Sequence, residues 1–206
     1  QFAARKSGAV RMIPRPLREM EGIMPSATNR GVKEQLGEFY PAEGTAIGKV
    51  GMFSGCIMDV MFADTNVKTV KLLSAAGFDV VIPKMQNCCG ALHAHSGEMD
   101  QARELAKKNV AAFREADVDF IVSNAGGCGA LLIEYDHLLK DDPEWKEQAE
   151  WFAKRVKDIS QLIVDEGRPL EFESKQSETI TYQDSCHLRN VMKSGEAPRK
   201  LMKQVG

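Results

Sequence analysis

The sequence predicts an α/β fold, a parallel sheet with helices on both faces. Three observations support this: short apolar runs alternate with longer segments of helical period, glycine or proline ends several of these segments, and each cysteine follows a predicted strand. Regular alternation of strands and helices is typical of a parallel sheet. Right-handed crossovers then bring the carboxyl ends of all strands to one edge, where open α/β sheets bind their ligands.

The elements are predicted from apolar period and turn residues. Strands are expected at 49–53, 78–82, 118–122 and 179–182, each a short run rich in Val, Ile, Phe or Thr. Helices are expected at 59–76, from a Ser96 cap to about 115, around 131–138, and behind Asp142-Pro143. The last of these has apolar residues at helical spacing from Trp145 to Ile163 and is expected to end at Gly167.

Composition excludes several classes of protein. The chain has 206 residues, 43% of them hydrophobic and 27% charged, with a net charge of −2. These values are typical of a globular protein and predict no nucleic-acid partner. No apolar run reaches the roughly 20 residues of a membrane span, and no signal peptide is recognised. The chain begins with Gln1, which indicates a fragment, and its basic, Gly- and Pro-rich residues 1–45 are expected to form a lead-in.

The five cysteines are the main functional signal. Cys56 follows the first predicted strand, Cys88 and Cys89 the second, Cys128 the third and Cys186 the fourth. An odd number that includes an adjacent pair is a poor disulfide framework, so we expect reduced thiols in a cytoplasmic protein. Thiolates are soft ligands that suit iron–sulfur clusters, zinc and cuprous copper. The sequence therefore predicts a thiolate metal centre at the carboxyl edge of the sheet.

Three further residues are candidate ligands with simpler alternatives. His93 and His95 lie two positions apart and could supply nitrogen ligands, although a hydrogen-bonding polar loop explains them as well. Cys186 could join the centre or pack as a small hydrophobic residue. No residue is predicted to be catalytic.

The cysteine spacing resembles a known repeat. There are 31 residues between Cys56 and Cys88 and 35 between Cys89 and Ala125, and Ala125-Gly126-Gly127-Cys128 would be a Cys-x-x-Cys if Ala125 were Cys. This pattern resembles the cysteine-rich CCG repeat of heterodisulfide reductases and of glycolate oxidase iron–sulfur subunits. The sequences at 88–97 and 124–130 are similar to the glycolate oxidase branch, and 182–188 is similar to the start of a second repeat.

The resemblance implies an organisation and a function. Residues 46–178 would form the first CCG domain and 179–206 the beginning of a second, without the family's ferredoxin-like part. Cys56, Cys88, Cys89 and Cys128 would hold an iron–sulfur cluster of [4Fe–4S] type, with zinc as the alternative. The chain would pass electrons from FAD-containing glycolate oxidase subunits toward a quinone or cytochrome, in the cytoplasm or peripherally on the inner face of the membrane.

Two other functions stay open. One is a thiol or heterodisulfide reductase module, which the absence of a fifth motif cysteine at Ala125 disfavours. The other is a zinc-stabilised, non-catalytic scaffold. The fragment by itself is expected to be inactive, because the flavin chemistry would belong to other subunits.

Overall fold

The computed structural model describes residues 6–23, 27–172 and 179–205. They form a sheet of order β1-β3-β2-β4-β5, in which β2 to β5 are mutually parallel and β1 pairs with β3 in the antiparallel sense. The strands are β1 Phe39–Tyr40, β2 Gly48–Met52, β3 Phe78–Val81, β4 Phe120–Ser123 and β5 Val156–Asp158. The predicted α/β class is therefore confirmed.

Eleven α-helices lie in the described residues. They are α1 Arg15–Ile23, α2 Val32–Leu36, α3 Cys56–Met61, α4 Ala63–Ala75, α5 Ala91–His95, α6 Met99–Ala116, α7 Gly126–Leu132, α8 Tyr135–Leu138, α9 Lys146–Ala153, α10 Ile159–Glu166 and α11 Glu196–Val205. A 3₁₀ turn at Ala9–Met12 and a π-helical turn at His187–Val191 complete the set. None of these helices is both long and apolar enough to span a membrane.

The sheet separates two hydrophobic cores. One contains Phe53 and Ile121 from the sheet with apolar residues of α6, α8 and α9. The other contains Val50 and Val122 with apolar residues of α4 and α10. Successive side chains of a strand point to opposite faces, so β4 contributes Ile121 to the first core and Val122 to the second. Helices thus cover both faces of the sheet, as predicted.

Gly51 lets the first core approach the sheet closely. A Cβ atom at this position would lie 2.7 Å from two ring atoms of Phe113, well inside van der Waals contact. Phe113 is fully buried and stacks on Phe53 with ring centroids 6.1 Å apart. A glycine in the centre of β2 therefore allows an aromatic ring of α6 to lie against the backbone.

Two element predictions are wrong. The single helix from Trp145 to Ile163 is instead α9, the edge strand β5 and α10, with Asp158 accepting a hydrogen bond from the Ser160 N–H at the start of α10. A strand at 179–182 is absent, because this segment pairs with no strand of the described residues. Period alone does not show where a helix is interrupted by a strand of three residues.

Smaller differences concern helix starts. The helix predicted at 59–76 begins at Cys56 and is divided at Phe62 into α3 and α4. Ser96 does not cap α6, since its hydroxyl bonds the Leu92 and His93 carbonyl oxygens at the end of α5. The N-cap position of α6 is Glu98, which makes no side-chain capping bond.

Part of the predicted lead-in joins the folded body. Val32 is fully buried in the second core, and β1 adds to the sheet beside β3. In contrast, α1 has no buried residue, and Leu17, Met20 and Ile23 of this helix are exposed. Within the predicted lead-in at 1–45, the described residues from Val32 onward thus pack on the folded body, whereas those of α1 are not buried in it.

Candidate metal centre

Four cysteines from three loops meet at the carboxyl edge of the sheet. Cys56 begins α3 after β2, Cys88 and Cys89 lie in the loop after β3, and Cys128 lies in the first turn of α7 after β4. These three strands are neighbours in the sheet, in the order β3-β2-β4. The fold therefore brings together side chains that lie up to 72 positions apart in the sequence.

The four thiols form two contacting pairs. The Cys56 Sγ donates to Cys88 Sγ at 3.5 Å. The Cys89 thiol interacts with Cys128, as the donor, and also with Cys88, so that the Cys-Cys loop contacts a cysteine of each of the other two loops. Electrostatic interactions also link Cys56 with Cys89 and both Cys56 and Cys88 with Cys128. All four are free thiols and belong to one cluster, which we call the thiol centre.

The pKa values of these thiols follow from their contacts. The hydrogen bond to Cys128 and burial raise the pKa of Cys89 far above its ordinary value. The same hydrogen bond lowers the pKa of Cys128, which accepts it. Burial, followed by the contact with Cys88, raises the pKa of Cys56. Without a cation, the centre thus resists the accumulation of several thiolates, because each new negative charge is repelled by the others.

Backbone N–H groups point at the sulfurs. The Gly90 N–H donates to Cys88 Sγ and the Ala91 N–H to Cys89 Sγ, both at 3.5 Å. This geometry depends on Gly90, which has a φ of 87° and whose Cβ would lie 3.3 Å from the Ala102 Cα. Hydrogen bonds from amides to thiolate sulfur stabilise the charged form and influence the reduction potential of thiolate clusters.

Two buried side chains hold the backbone of the Cys-Cys loop. The Asn87 N–H donates to Asn109 Oδ1 at 2.7 Å, and Asn109 Nδ2 donates to the Cys88 carbonyl oxygen at 3.0 Å. The Tyr135 hydroxyl donates to the Cys89 carbonyl oxygen at 2.7 Å and accepts from Asn109 Nδ2 at 3.0 Å. Three consecutive residues are thereby fixed by α6 and α8.

Two other amide side chains connect the three loops. Gln86 accepts from the Ser54 N–H at 2.9 Å and donates to the Met52 carbonyl oxygen at 3.1 Å, which joins the loop after β3 to that after β2. Asn66 donates to the Ser54 carbonyl oxygen at 2.9 Å, and its own carbonyl oxygen accepts from Asn124 at 2.9 Å. The loop that leads to Cys56 is therefore tied to those that carry Cys88 and Cys128.

The other three candidate ligands have surroundings different from those of the four sulfurs. Cys186 is exposed and accepts a hydrogen bond from Asn190 Nδ2 at 3.2 Å. His95 is exposed, with its ring 6.3 Å from that of His187. His93 lines an open cavity of about 430 Å³ together with Cys88, and its Nδ1 is buried without a hydrogen-bond partner among the described residues. His93 thus shares a cavity with one cysteine of the thiol centre, and metal ligation by any of the three stays a prediction.

The donor set fits an iron–sulfur cluster in its chemistry. Four thiols with amide donors are the ligand type of such clusters. Within residues 6–23, 27–172 and 179–205, no group of three or more His, Cys, Asp and Glu side chains is arranged to hold a single metal ion. The sulfurs instead bond one another in pairs, so binding a metal requires these S–H contacts to be replaced.

Sequence reasoning misses the amides that support the centre. It assigns no role at the centre to Asn66, Gln86, Asn109 or Tyr135. A signal for Asn109 exists: it is an amide at a core position of an otherwise apolar stripe. A fully buried amide must find hydrogen-bond partners, and here the Cys-Cys loop provides them.

Comparison with known proteins agrees with this arrangement. Residues 50–133 match the family model of the CCG cysteine-rich domain, a range that contains all four cysteines of the thiol centre. Over its full length the chain is 50% identical to the probable glycolate oxidase iron–sulfur subunit of Bacillus subtilis. Over 157 residues, 76% of the chain, it is 33% identical to lactate utilization protein A of Geobacillus thermodenitrificans. An uncharacterized iron–sulfur protein of Methanocaldococcus jannaschii is 35% identical over 176 residues.

The chain is shorter than these relatives. It covers 46% of the Bacillus subtilis protein, 65% of the Geobacillus thermodenitrificans protein and 32% of the Methanocaldococcus jannaschii protein. The similarity therefore concerns the part of each relative that contains the CCG domain.

Proposed function

We propose that this chain is the cluster-bearing part of a glycolate oxidase iron–sulfur subunit, from the premise that residues 50–133 match the family model of the CCG cysteine-rich domain. Its task would be electron transfer, from flavin-containing subunits that oxidise glycolate toward a quinone or a cytochrome. The substrate and partner come from the name of the Bacillus subtilis relative and its 50% identity over the whole chain. The redox role is supported by the residues of the chain itself.

One observation carries the proposal: the sheet gathers Cys56, Cys88, Cys89 and Cys128 into contact at its carboxyl edge. Isolated buried cysteines usually pack as small hydrophobic residues. Four thiols gathered into two contacting pairs are different, because their close approach is unfavourable once they ionise and becomes favourable when a cation compensates the charge. A soft metal centre supplies that compensation.

The proposed ligands are the four thiolates of the thiol centre. Four cysteine ligands suit a [4Fe–4S] cluster, which supplies one-electron transfer when bound. Ala125 stands where the family's pattern has a further cysteine, and its side chain offers no ligand. His93, whose buried Nδ1 is unpartnered within the described residues, is the candidate for an additional nearby donor.

The polypeptide around the thiols has its own tasks. The Gly90 and Ala91 N–H groups stabilise negative charge on sulfur. The core behind Cys89, which is only 4% exposed, excludes water from one side of the centre. Cys56 is exposed, so the centre approaches the protein surface at this residue. A surface-near position shortens the distance over which a redox partner exchanges electrons.

A second candidate function is a zinc-stabilised scaffold. It is favoured by the substitution at Ala125, which leaves four thiols, the ligand number of structural zinc sites. In that case the domain would dock the other subunits without transferring electrons. The two candidates differ in metal content and colour.

The test is anaerobic purification followed by metal and sulfide analysis. We expect a brown protein with about four iron and four sulfide per chain and a broad visible absorption. Cys88→Ser and Cys89→Ser are expected to bleach it, because each removes a thiolate. Cys186→Ser is the matched control and should retain the colour, since Cys186 bonds Asn190 rather than the other four sulfurs. A colourless protein with one zinc per chain would support the scaffold instead.

A further inference from the structure

We propose that Asn109 and Tyr135 are positioning residues that preorganise the Cys88–Cys89 pair for ligation. This inference rests on the proposed thiolate centre, and it concerns the backbone of the loop rather than its sulfurs. Among the residues that the structure describes, the two side chains bond only the Asn87 N–H, the Cys88 and Cys89 carbonyl oxygens and each other. They bond the backbone of the loop, so both cysteine sulfurs stay available to act as ligands.

The hydrogen bonds account for the full donor capacity of the amide. Asn109 accepts once through Oδ1 and donates from Nδ2 to both the Cys88 carbonyl oxygen and the Tyr135 hydroxyl. Tyr135 donates its one proton to the Cys89 carbonyl oxygen. Asn109 and Tyr135 are both fully buried, so any loop conformation that abandoned these bonds would leave polar groups unsatisfied in the core. The network therefore favours a single conformation of the loop.

The conformation is one that adjacent cysteines do not adopt in a regular strand. Successive side chains of a strand point to opposite faces, whereas here Cys88 contacts Cys56 while Cys89 contacts Cys128 at the same edge. With both carbonyl oxygens bonded to groups in the core, the two sulfurs are left to face their partners. The buried hydrogen bonds thus favour a loop conformation in which two neighbouring thiols lie at the same edge of the sheet.

The anchors themselves are rigidly held. Asn109 lies in α6, the longest helix of the described residues, between buried Ala106 and Phe113. The Tyr135 ring stacks on Phe152 with centroids 5.1 Å apart. Side chains that orient metal ligands act best when packing fixes their own rotamers.

The test compares Tyr135→Phe with the parent chain, using Co²⁺ as the probe. Metal-free protein is titrated anaerobically, and thiolate-to-cobalt charge-transfer absorption reports binding at the thiol centre. Tyr135→Phe keeps the ring and removes only the hydroxyl, so the core remains filled. We expect Co²⁺ affinity to fall by about 10- to 100-fold, the usual effect of losing an outer partner of a metal ligand. Asn109→Leu removes the whole amide and should lower the affinity at least as far.

Ser74→Ala is the matched control. Ser74 is buried, and its hydroxyl donates to the Pro41 carbonyl oxygen at 2.7 Å, in a part of the fold that carries no cysteine. This variant also loses one buried hydrogen bond, but its Co²⁺ affinity should equal that of the parent. Amide hydrogen exchange in the metal-free state provides a second readout, since 87–91 should exchange faster in Tyr135→Phe and at an unchanged rate in Ser74→Ala.

The outcomes separate this inference from the proposed function. Equal Co²⁺ affinity in the parent and Tyr135→Phe would overturn the positioning role while leaving the thiol centre intact. An equal loss in Ser74→Ala would also overturn it, because general destabilisation would then explain the effect. If the parent showed no charge-transfer absorption, metal ligation by the four thiols would be refuted together with this inference.

Discussion

Individual residues in this fold are constrained by the space and the hydrogen bonds around them. The Phe113 ring leaves no room for a Cβ at Gly51, and the Ala102 backbone lies close to the Cβ position of Gly90. The side-chain amide of Asn109 makes three hydrogen bonds. These constraints are specific to a position, and the residue type alone does not show them. They explain why a glycine in the middle of a strand and an asparagine in an apolar stripe are both favourable here.

Gly51→Ala should destabilise the protein without affecting the thiols directly. The added methyl group overlaps the Phe113 ring, and overpacking of this kind costs about 1–3 kcal/mol. Urea unfolding of the metal-free chain measures the change. Gly22→Ala is the control, because nothing lies within 4 Å of its Cβ position, and it should change the free energy of unfolding by less than about 0.5 kcal/mol. Equal stability of parent and Gly51→Ala would contradict the contact.

The thiol centre shows what residue patterns can and cannot reveal. Because each of Cys56, Cys88, Cys89 and Cys128 follows a parallel strand, their convergence could be predicted from the sequence. The pairing of Cys56 with Cys88 and of Cys89 with Cys128 could not, because it depends on loop conformation. Whether these sulfurs bind a metal stays a prediction, which the cysteine variants test.

At the scale of elements, strands and helices could be predicted best where their apolar periods differ. They could be predicted least well where a helix and a strand follow one another without a turn between them. The run from Trp145 to Ile163 satisfies a helical period throughout, yet residues 156–158 complete the sheet beside β4. The available signal was local: Asp158 two residues before Ser160 is a helix N-cap, which marks a new start inside the apparent helix. Sheet pairing with β4 overrides helical propensity at this point.

An ion pair joins α6 to the turn before α9, and the stability that it contributes should depend on pH. Lys107 lies 2.9 Å from Asp142 and holds the pKa of that carboxyl below its usual value, while Asp142 raises the pKa of Lys107. The pair contributes stability above the unfolded pKa of Asp, about 3.9, and loses it as pH falls through the lower folded value or rises above about 10.4. Asp142→Asn should therefore be less stable than the parent near pH 7 and equally stable in strong acid.

The carboxyl group of Asp158 should affect the pH dependence of stability in the opposite direction. Burial raises the pKa of its carboxyl, so ionisation is harder in the folded than in the unfolded chain. At neutral pH the charge opposes folding, and this effect disappears as pH falls through the raised folded value. Asp158→Asn, which retains a capping side chain, should match or exceed the parent in thermal stability at pH 7 and lose that advantage in acid. Parallel pH profiles for the two variants would contradict both assignments.

On the scale of the whole molecule, the described residues form one sheet with a core on each face, and their contributions to stability are uneven. Val32 and β1 belong to this body, although the sequence placed them in a lead-in because no sustained apolar period precedes residue 45. Ser185 and Leu188, which follow the segment at 179–182, lie against Gly126 of α7. The boundaries at 46 and 178 stay predictions.

Removal of residues 1–23 is expected to leave stability nearly unchanged. No residue of α1 is buried, so its loss should alter the free energy of unfolding by less than about 0.5 kcal/mol. Val32→Ala is the contrasting variant and should cost about 2 kcal/mol, because it removes two methyl groups from the second core. Thermal unfolding of both proteins distinguishes the two halves of the segment. A large loss on truncation would show that α1 contributes to folding.

The two edge strands of the sheet are short, which limits how this domain could associate with another protein. β1 has only two residues and runs antiparallel along β3, and β5 at the opposite margin has three. In the part of the chain that the structure describes, neither margin offers the long row of free backbone groups that another polypeptide would need to extend the sheet. Recognition of a flavin subunit would then depend on side chains presented by helices and loops. Such a contact can form and dissociate without disturbing the hydrogen-bonded framework that supports the cysteines.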